Sequence, residues 1–149
     1  MTGQKIIYLM RHGDAYSESL LISPDSDDLL TSWGKQKLEI LGKGIRKEQG
    51  NNLGTKIYHS PLPKENESAR ILADTIAIPS SNILERESLR CNNYKIKEIV
   101  DEIAGDKIAS MGVIISHRPD ILDYLHQIDE NGVSAHHPNF WYYYHILRL

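Results

Sequence analysis

The chain has 149 residues, of which 40% are hydrophobic and 25% charged, and its formal net charge is −3. Such a length and composition are typical of a single folded domain, residues 1–149, with a core of its own. The acidic balance disfavours a nucleic-acid partner, and no apolar run reaches the ~20 residues of a membrane helix. A single cysteine excludes an internal disulfide. We therefore expect a cytosolic protein without a membrane segment.

The first half of the chain alternates between two apolar patterns. The continuous apolar run Ile6–Met10 is typical of a strand that is covered on both faces. Residues 31–50 carry a helical pattern that begins at a threonine and ends at a glycine. A short strand follows at Lys56–Tyr58, and the spacing over residues 64–79 again predicts a helix, which a proline closes.

The second half continues this alternation. Residues 82–89 fit a short edge strand, and the apolar spacing from Ile96 to Ile103 predicts a helix. Met111–Ile115 is a buried strand, Pro119 suits the first turn of another helix, and residues 140–149 are aromatic and β-branched enough for a final strand. Strands that alternate with helices predict an α/β fold, in which a mostly parallel sheet is flanked by helices on both faces.

Polar and cationic side chains follow three of the predicted strands. In open α/β sheets, ligands bind outside the carboxyl ends of the strands. One histidine at such a place most often caps a loop or bonds a carbonyl, but three strand ends that meet in one crevice indicate an anion site. The three pairs are Arg11-His12, His59-Ser60 and His117-Arg118.

The chemistry of these residues suits phosphate. An arginine fork binds two phosphoryl oxygens at once, and Gly13 lets the backbone approach a ligand closely. A neutral imidazole, held in one tautomer by a carbonyl, can attack phosphorus and become phosphohistidine. A second, protonated imidazole can donate to the same oxygens.

Four motifs follow one another in order over residues 6–117. They are Arg11-His12-Gly13, Leu30-Thr31-x-x-Gly34, Ser60-Pro61-Leu62, and Val113-Ile114-Ile115-Ser116-His117. Together they resemble the histidine phosphatase superfamily, which includes the phosphoglycerate mutases. The resemblance implies a phosphoglycerate mutase-like three-layer sandwich with the site at the strand ends. It also implies that His12 is the nucleophile, that Arg11 and His117 bind and stabilise the phosphoryl group, and that no metal or organic cofactor is needed.

This chain departs from the family pattern at the second arginine. The family usually places that arginine after the Ser-Pro-Leu turn and one further residue, where this chain has Lys64. A lysine keeps the positive charge but lacks the bidentate fork. Arg118, beside the second histidine, is a candidate for compensation, and the simpler alternative is a surface arginine. The expected substrate-binding residues are therefore Arg11, Lys64, His117 and Arg118.

The sequence offers no clear general acid. Larger family members carry an insertion with a glutamate that protonates the leaving oxygen, and this chain has no such insertion. Glu87 and Asp14 are the candidates, although a solvated charge and a loop cap are their ordinary roles. An imidazole leaves more easily than an alkoxide without an acid, since its conjugate acid has a pKa of only ~6.5. We therefore expect a phosphohistidine-bearing protein as the substrate, in keeping with the compact bacterial phosphohistidine phosphatases that this chain resembles in length and layout.

Two alternatives remain open at this point. One is a small-molecule phosphomonoesterase that uses Glu87 or Asp14 as its acid. The other is a catalytically weak phosphate-binding regulatory module, in which Lys64 records lost turnover. Retention of both His12 and His117 favours an enzyme, because anion binding alone needs no nucleophilic imidazole. The expected partner is a phosphorylated substrate, with neither nucleic acid nor membrane.

Overall fold

The computed structural model of the protein describes residues 5–13, 29–50, 54–129, 134–135 and 144–149. The strands in these residues are β1 (Ile6–Arg11), β2 (Lys56–His59), β3 (Ile83–Glu85), β4 (Met111–Ser116), β5 (Ser134–Ala135) and β6 (Tyr144–Arg148). The helices are α1 (Ser32–Gln49), α2 (Pro63–Ile76), α3 (Ile96–Gly105) and α4 (Arg118–Asp129). Short 3₁₀ turns lie at Ser80–Asn82 and Glu87–Leu89.

The strands form one sheet in the order β3-β2-β4-β1-β6-β5. The pairs among β3, β2, β4 and β1 are parallel, whereas β6 is antiparallel to both of its neighbours. Two apolar clusters flank the sheet, one beneath α1 and α2 and the other beneath α3 and α4. The predicted α/β fold, with a mostly parallel sheet between two helical layers, is confirmed.

Strand β1 shows why its apolar run is continuous. Tyr8 and Met10 enter the cluster beneath α1 and α2, whereas Ile7 and Leu9 enter the cluster on the opposite face. Successive side chains of a strand point to opposite faces, so a strand with helices on both sides needs an apolar residue at every position.

The pairing of β1 with β4 sets the level of the two strand ends. Arg11 lies opposite Ser116, and the backbone N–H of His12 donates to the carbonyl of Ser116 at 3.3 Å. His12 and His117 therefore leave neighbouring parallel strands at the same height. This register, rather than proximity in the sequence, brings the two histidines together.

The edge strand is shorter than predicted. Only Ile83–Glu85 of the predicted residues 82–89 pairs as a strand, and a 3₁₀ turn follows it. Its partner β2 ends at His59, two residues before Pro61, which has no N–H to continue a ladder. The last contact is the N–H of Arg86, which donates to the carbonyl of His59 at 2.8 Å. Strand β3 therefore ends where its partner ends.

The predicted final strand is confirmed in part. Tyr144–Arg148 pairs with β1, and residues 140–143 lie outside the described residues. The two-residue strand β5 was not predicted, because so short a segment carries no readable periodicity. Among the described helices, none combines the length and the apolar character that crossing a bilayer requires.

Candidate active site

The two histidines that follow β1 and β4 lie side by side in the interior. Their ring centroids are 5.5 Å apart and the rings meet edge to face at 66°. His12 is 4% exposed and His117 is 1% exposed. Two buried imidazoles at the carboxyl ends of adjacent parallel strands occupy the place where this class of sheet binds its ligands.

His12 is held in one tautomer. Its Nδ1 lies 2.7 Å from the carbonyl oxygen of Gly13, and because a carbonyl only accepts, Nδ1 carries the hydrogen and donates it. The lone pair of the neutral ring is therefore on Nε2, the atom that faces His117 and Glu65. Burial lowers the pKa of His12 to about 3, and the charges of Arg11 and Lys64 act in the same direction. At neutral pH His12 thus presents an unprotonated ring nitrogen, as a nucleophile requires.

Hydrogen bonds join the loop after β1 to helix α2. The N–H of Gly13 donates to Ser68 Oγ at 2.9 Å, and the hydroxyl of Ser68 donates to the Lys64 carbonyl at 2.7 Å. A Cβ at Gly13 would lie 2.8 Å from Cδ1 of Leu38 and 3.3 Å from the carbonyl oxygen of Gly34, so a side chain there would have to displace Leu38. Close packing against helix α1 therefore favours glycine beside His12.

Cationic side chains surround the two rings. Burial lowers the pKa of His117 to about 4, with further lowering by the charges of Lys64, Arg11 and Arg90. Lys64, in the first turn of α2, has no exposed surface. An ammonium and a guanidinium that act on two neutral imidazoles form an electropositive site suited to an anion.

Arg118 is exposed at the start of α4. Arg90, at the end of the 3₁₀ turn Glu87–Leu89, is a further cation whose charge acts on His117. Its Nε also lies 2.7 Å from Oε1 of Glu87. A role for Arg118 in binding the substrate stays a prediction.

His59, the third histidine at a strand end, has different surroundings from the other two. Its Nδ1 lies 2.7 Å from the carbonyl of Ser60, and the charges that act on it are those of Glu85 and Arg70. By register His59 pairs with Ile115, two residues before His117, so it lies deeper along the sheet. The expectation that three strand ends converge therefore holds for two of them.

A buried glutamate, Glu65, completes the site, although none of the predicted site residues or motifs includes it. Oε1 of Glu65 lies 3.1 Å from Nε2 of His117 and 3.9 Å from Nε2 of His12, and the residue has no exposed surface. Acidic residues in the first turn of a helix are common because they favour the helix dipole, so Glu65 looked ordinary. The available signal was its position directly after Lys64, on the turn that faces the strand ends.

Together His12, Glu65 and His117 form a possible metal-ligand set. One ligand atom from each residue lies within 4.8 Å of the others, and two imidazoles with a carboxylate match the donors that zinc takes. Against this, the positive charges of Lys64 and Arg11 act on both rings and oppose a cation at the same place. The positive charges around the two rings therefore favour an anion at this place over a metal cation.

The acids considered from the sequence lie elsewhere. The side chain of Glu87 is 69% exposed and pairs with Arg90. Asp14 lies outside the described residues. Asp120, three residues after the second histidine, is buried and accepts the N–H groups of Asn92 and Tyr94, which fastens that loop to α4.

Acid is expected to destabilise the protein through the two site histidines. Each has a pKa near 6.5 in the unfolded chain, but about 3 for His12 and about 4 for His117 in the folded chain. As the pH falls below about 6, the unfolded state binds more protons, and the free energy of unfolding decreases by about 1.4 kcal/mol per pH unit for each histidine. Urea denaturation between about pH 7 and pH 5 measures this slope. The double variant His12→Asn, His117→Asn should have a shallower slope, and equal slopes would contradict the assignment.

Comparison with known structures identifies the type of fold. No protein-family model and no curated protein sequence matches the chain. The phosphoglycerate mutase of Bacillus anthracis superposes with a TM-score of 0.69 at 13% identity, over 87% of this chain and 82% of that one. A protein of Agrobacterium tumefaciens, provisionally assigned as the phosphohistidine phosphatase SixA, gives 0.63 at 16% identity over 85% and 79%. The protein histidine phosphatase SixA in complex with tungstate gives 0.62 at 20% identity over 78% and 71%. The chain therefore has the phosphoglycerate mutase-like fold.

Proposed function

We propose that this protein is a phosphatase that removes phosphoryl groups from phosphohistidine on a protein, through a covalent phosphohistidine at His12. The observation that carries the proposal is the state of His12. Its Nδ1–H is held by the Gly13 carbonyl, its Nε2 is unprotonated at neutral pH, and that atom faces the electropositive space beside His117. Simple binding of an anion would favour a protonated ring at this place.

The reaction follows from these positions in two steps. Nε2 of His12 attacks phosphorus, and the new N–P bond forms as the bond to the leaving nitrogen breaks. The electron pair of that bond stays with the departing imidazole, which leaves neutral because its other ring nitrogen already carries a hydrogen. Water then attacks the phosphohistidine, the N–P bond breaks, phosphate leaves, and His12 recovers its lone pair. Arg11, Lys64 and His117 stabilise the phosphoryl oxygens, where negative charge develops.

The leaving group favours phosphohistidine over a sugar phosphate. A group attached to a protein substrate must point toward solvent, whereas Glu65 has no exposed surface and its Oε1 lies 3.1 Å from Nε2 of His117. Glu87 is largely exposed and paired with Arg90. Since loss of a general acid typically costs ~10²–10⁴ in rate for a leaving group that needs the proton, a site of this kind suits an imidazole, which departs neutral.

The structural neighbours support the same class of substrate. One of them is described as a protein histidine phosphatase and was solved with tungstate. Tungstate is a tetrahedral oxyanion of the shape of phosphate. A phosphoglycerate mutase shares the fold as well, so the fold alone does not select the substrate.

A comparison of three substrates tests the proposal. We expect fast hydrolysis of a phosphohistidine-bearing protein, slower hydrolysis of p-nitrophenyl phosphate and very slow hydrolysis of an alkyl phosphate. Rapid quenching in alkali, where phosphohistidine is stable, should trap labelled phosphate on the protein. Alkyl phosphate turnover as fast as that of phosphohistidine would make the protein a phosphomonoesterase. Phosphate binding without any turnover would make it a binding module.

A further inference from the structure

Arg90 is a cation of the site to which the proposed reaction gives no role. Its charge is one of those that lower the pKa of His117, so its guanidinium lies within electrostatic reach of that ring. Lys64 has no exposed surface, whereas the side chain of Arg90 is 35% exposed. Arg90 therefore reaches from the surface of the protein toward the buried part of the site.

The backbone of Arg90 is fixed at both of its polar groups. Its N–H donates to the carbonyl of Glu87 at 3.0 Å, and its carbonyl accepts the N–H of Asn93 at 3.1 Å. In the side chain, Nε of Arg90 lies 2.7 Å from Oε1 of Glu87, which is 69% exposed. An ion pair so open to water contributes little binding energy. Because a guanidinium has five N–H donors in a planar fork, it can hold Glu87 and a phosphoryl oxygen at the same time.

Two residues of the loop after Arg90 have a left-handed backbone. Their φ angles are 68° at Asn92 and 53° at Tyr94. This region is uncommon for residues other than glycine, and a bulky tyrosine there is an outlier that the surrounding structure must stabilise. Outliers of this kind cluster at ligand sites. The loop therefore has a conformation that contacts from outside the loop have to impose.

Asp120 supplies such contacts from the helix that follows His117. The carbonyl of His117 accepts the N–H of Ile121 at 3.0 Å, and Asp120 lies in the first turn of α4. Its Oδ1 accepts the N–H of Asn92 at 3.0 Å, and its Oδ2 accepts the N–H of Tyr94 at 3.1 Å. Asp120 is only 1% exposed, so water competes little for these bonds. One carboxyl group thus fastens the loop to the helix that begins directly after the second site histidine.

We propose that Arg90 binds a phosphoryl oxygen of the substrate beside His117, and that Asp120 is the positioning residue that holds Arg90 there. This inference rests on the proposed function, because it takes the phosphoryl group to lie between His12 and His117. Arg90 contacts the substrate, whereas Asp120 acts only through the loop. The guanidinium supplies, from the surface, the planar fork that Lys64 lacks.

Titration with inorganic phosphate tests the contact of Arg90. Since a hydrogen bond to a charged group is worth about 10- to 100-fold in binding, Arg90→Met should raise the Kd of phosphate by that factor. Arg90→Lys keeps the charge without the fork and should raise it less. The matched control is Arg86→Met, because the side chain of Arg86 is 34% exposed and its Nη2 lies 2.7 Å from Oε2 of Glu102. This control should bind phosphate as the native chain does.

A double-mutant cycle tests the positioning role of Asp120. Asp120→Asn keeps the shape of the side chain but leaves one of the two N–H groups without its acceptor, so the Kd of phosphate should rise about three- to tenfold. In a chain that already carries Arg90→Met, the same change should have no further effect. Loss of a carboxyl group near the site would, by charge alone, leave phosphate binding unchanged or strengthen it. Weaker binding is therefore specific for a positioning role.

A second variant covers a failure of Asp120→Asn to fold, which circular dichroism would show. Asp120→Glu displaces the carboxyl group by one methylene, and it takes the same place in the cycle with the same expected pattern.

Several results would overturn the inference. Native phosphate affinity in Arg90→Met would mean that Arg90 does not contact the phosphoryl group, and an equal loss in Arg86→Met would make the effect one of general surface charge. Equal effects of Asp120→Asn with and without Arg90 would make Asp120 a structural residue only. Failure of the proposed function is a separate result, in which the native chain binds phosphate but hydrolyses no phosphorylated substrate. The phosphate titrations then still decide the role of Arg90, because they need no turnover. A native chain that binds no phosphate would overturn both.

Discussion

Replacing His12 with asparagine is expected to lower kcat for phosphohistidine hydrolysis by at least about 10³-fold. The amide of asparagine can take the place of Nδ1–H and donate to the Gly13 carbonyl, which His12 meets at 2.7 Å. The loop should therefore keep its shape while the attacking nitrogen is lost. Rapid-quench labelling checks this, because the trapped phosphoenzyme should disappear along with turnover.

His59 provides a matched control for the His12 variant. It is equally buried at 4% exposure, and its Nδ1 meets the carbonyl of the next residue at the same distance of 2.7 Å. Because the charges that act on His59 are Glu85 and Arg70, His59→Asn should leave kcat within a few-fold of the native value. Equal losses in both variants would mean that the His12 effect is structural, and full activity of His12→Asn would exclude it as the nucleophile.

Replacing Lys64 with methionine is expected to lower both phosphate affinity and kcat/KM by about 10²–10³-fold, the usual cost of one lost donor to a developing anion. Methionine nearly matches the length of lysine without its charge, so the buried space stays filled. The same change should raise the pKa of His12 and of His117, because the Lys64 charge lowers both. Phosphate titration, steady-state kinetics and NMR titration of the two imidazoles measure these effects.

Arginine at position 64 distinguishes charge from geometry. Lys64→Arg should retain activity, because a guanidinium supplies the same charge with a bidentate fork. The control is Lys97→Met, since Lys97 is 71% exposed and pairs with Asp101 on the surface of α3. Native activity in Lys64→Met, or unchanged imidazole pKa values, would place Lys64 outside the phosphate site.

Local patterns were sufficient to predict most elements of the fold. The apolar run at β1 and the helical spacing of α1 depend on neighbours within a few residues, and the structure places both as predicted. Even the start of α1 follows from one residue, since Thr31 Oγ1 accepts the N–H of Gly34 at 3.0 Å. The edge strand was less predictable because its length depends on its partner β2, which is distant in the sequence.

The residues of the candidate site likewise divide into those that the sequence predicted and those whose positions only the structure shows. The pairing of β1 with β4, together with the motifs of the sequence, explains why His12 and His117 were both expected at the strand ends. Register then separates His59 from them, and the direction of the first turn of α4 leaves Arg118 exposed. The sequence could not predict either outcome. The alternation of side chains indicates on which face of the sheet a residue lies, but not how far along the sheet it lies.

For this protein, the sequence alone determined the order of strands and helices, the two histidines and the cationic character of the site, because these follow from short-range periodicity and from residue chemistry. The tertiary structure decided which charges meet. Only the packing of α2 against the strand ends brings Oε1 of Glu65 within 3.1 Å of Nε2 of His117, and its position directly after Lys64 was the one local sign of that contact. The physical reason is that a helix of any sequence can present several faces, and the sheet on which it packs selects one.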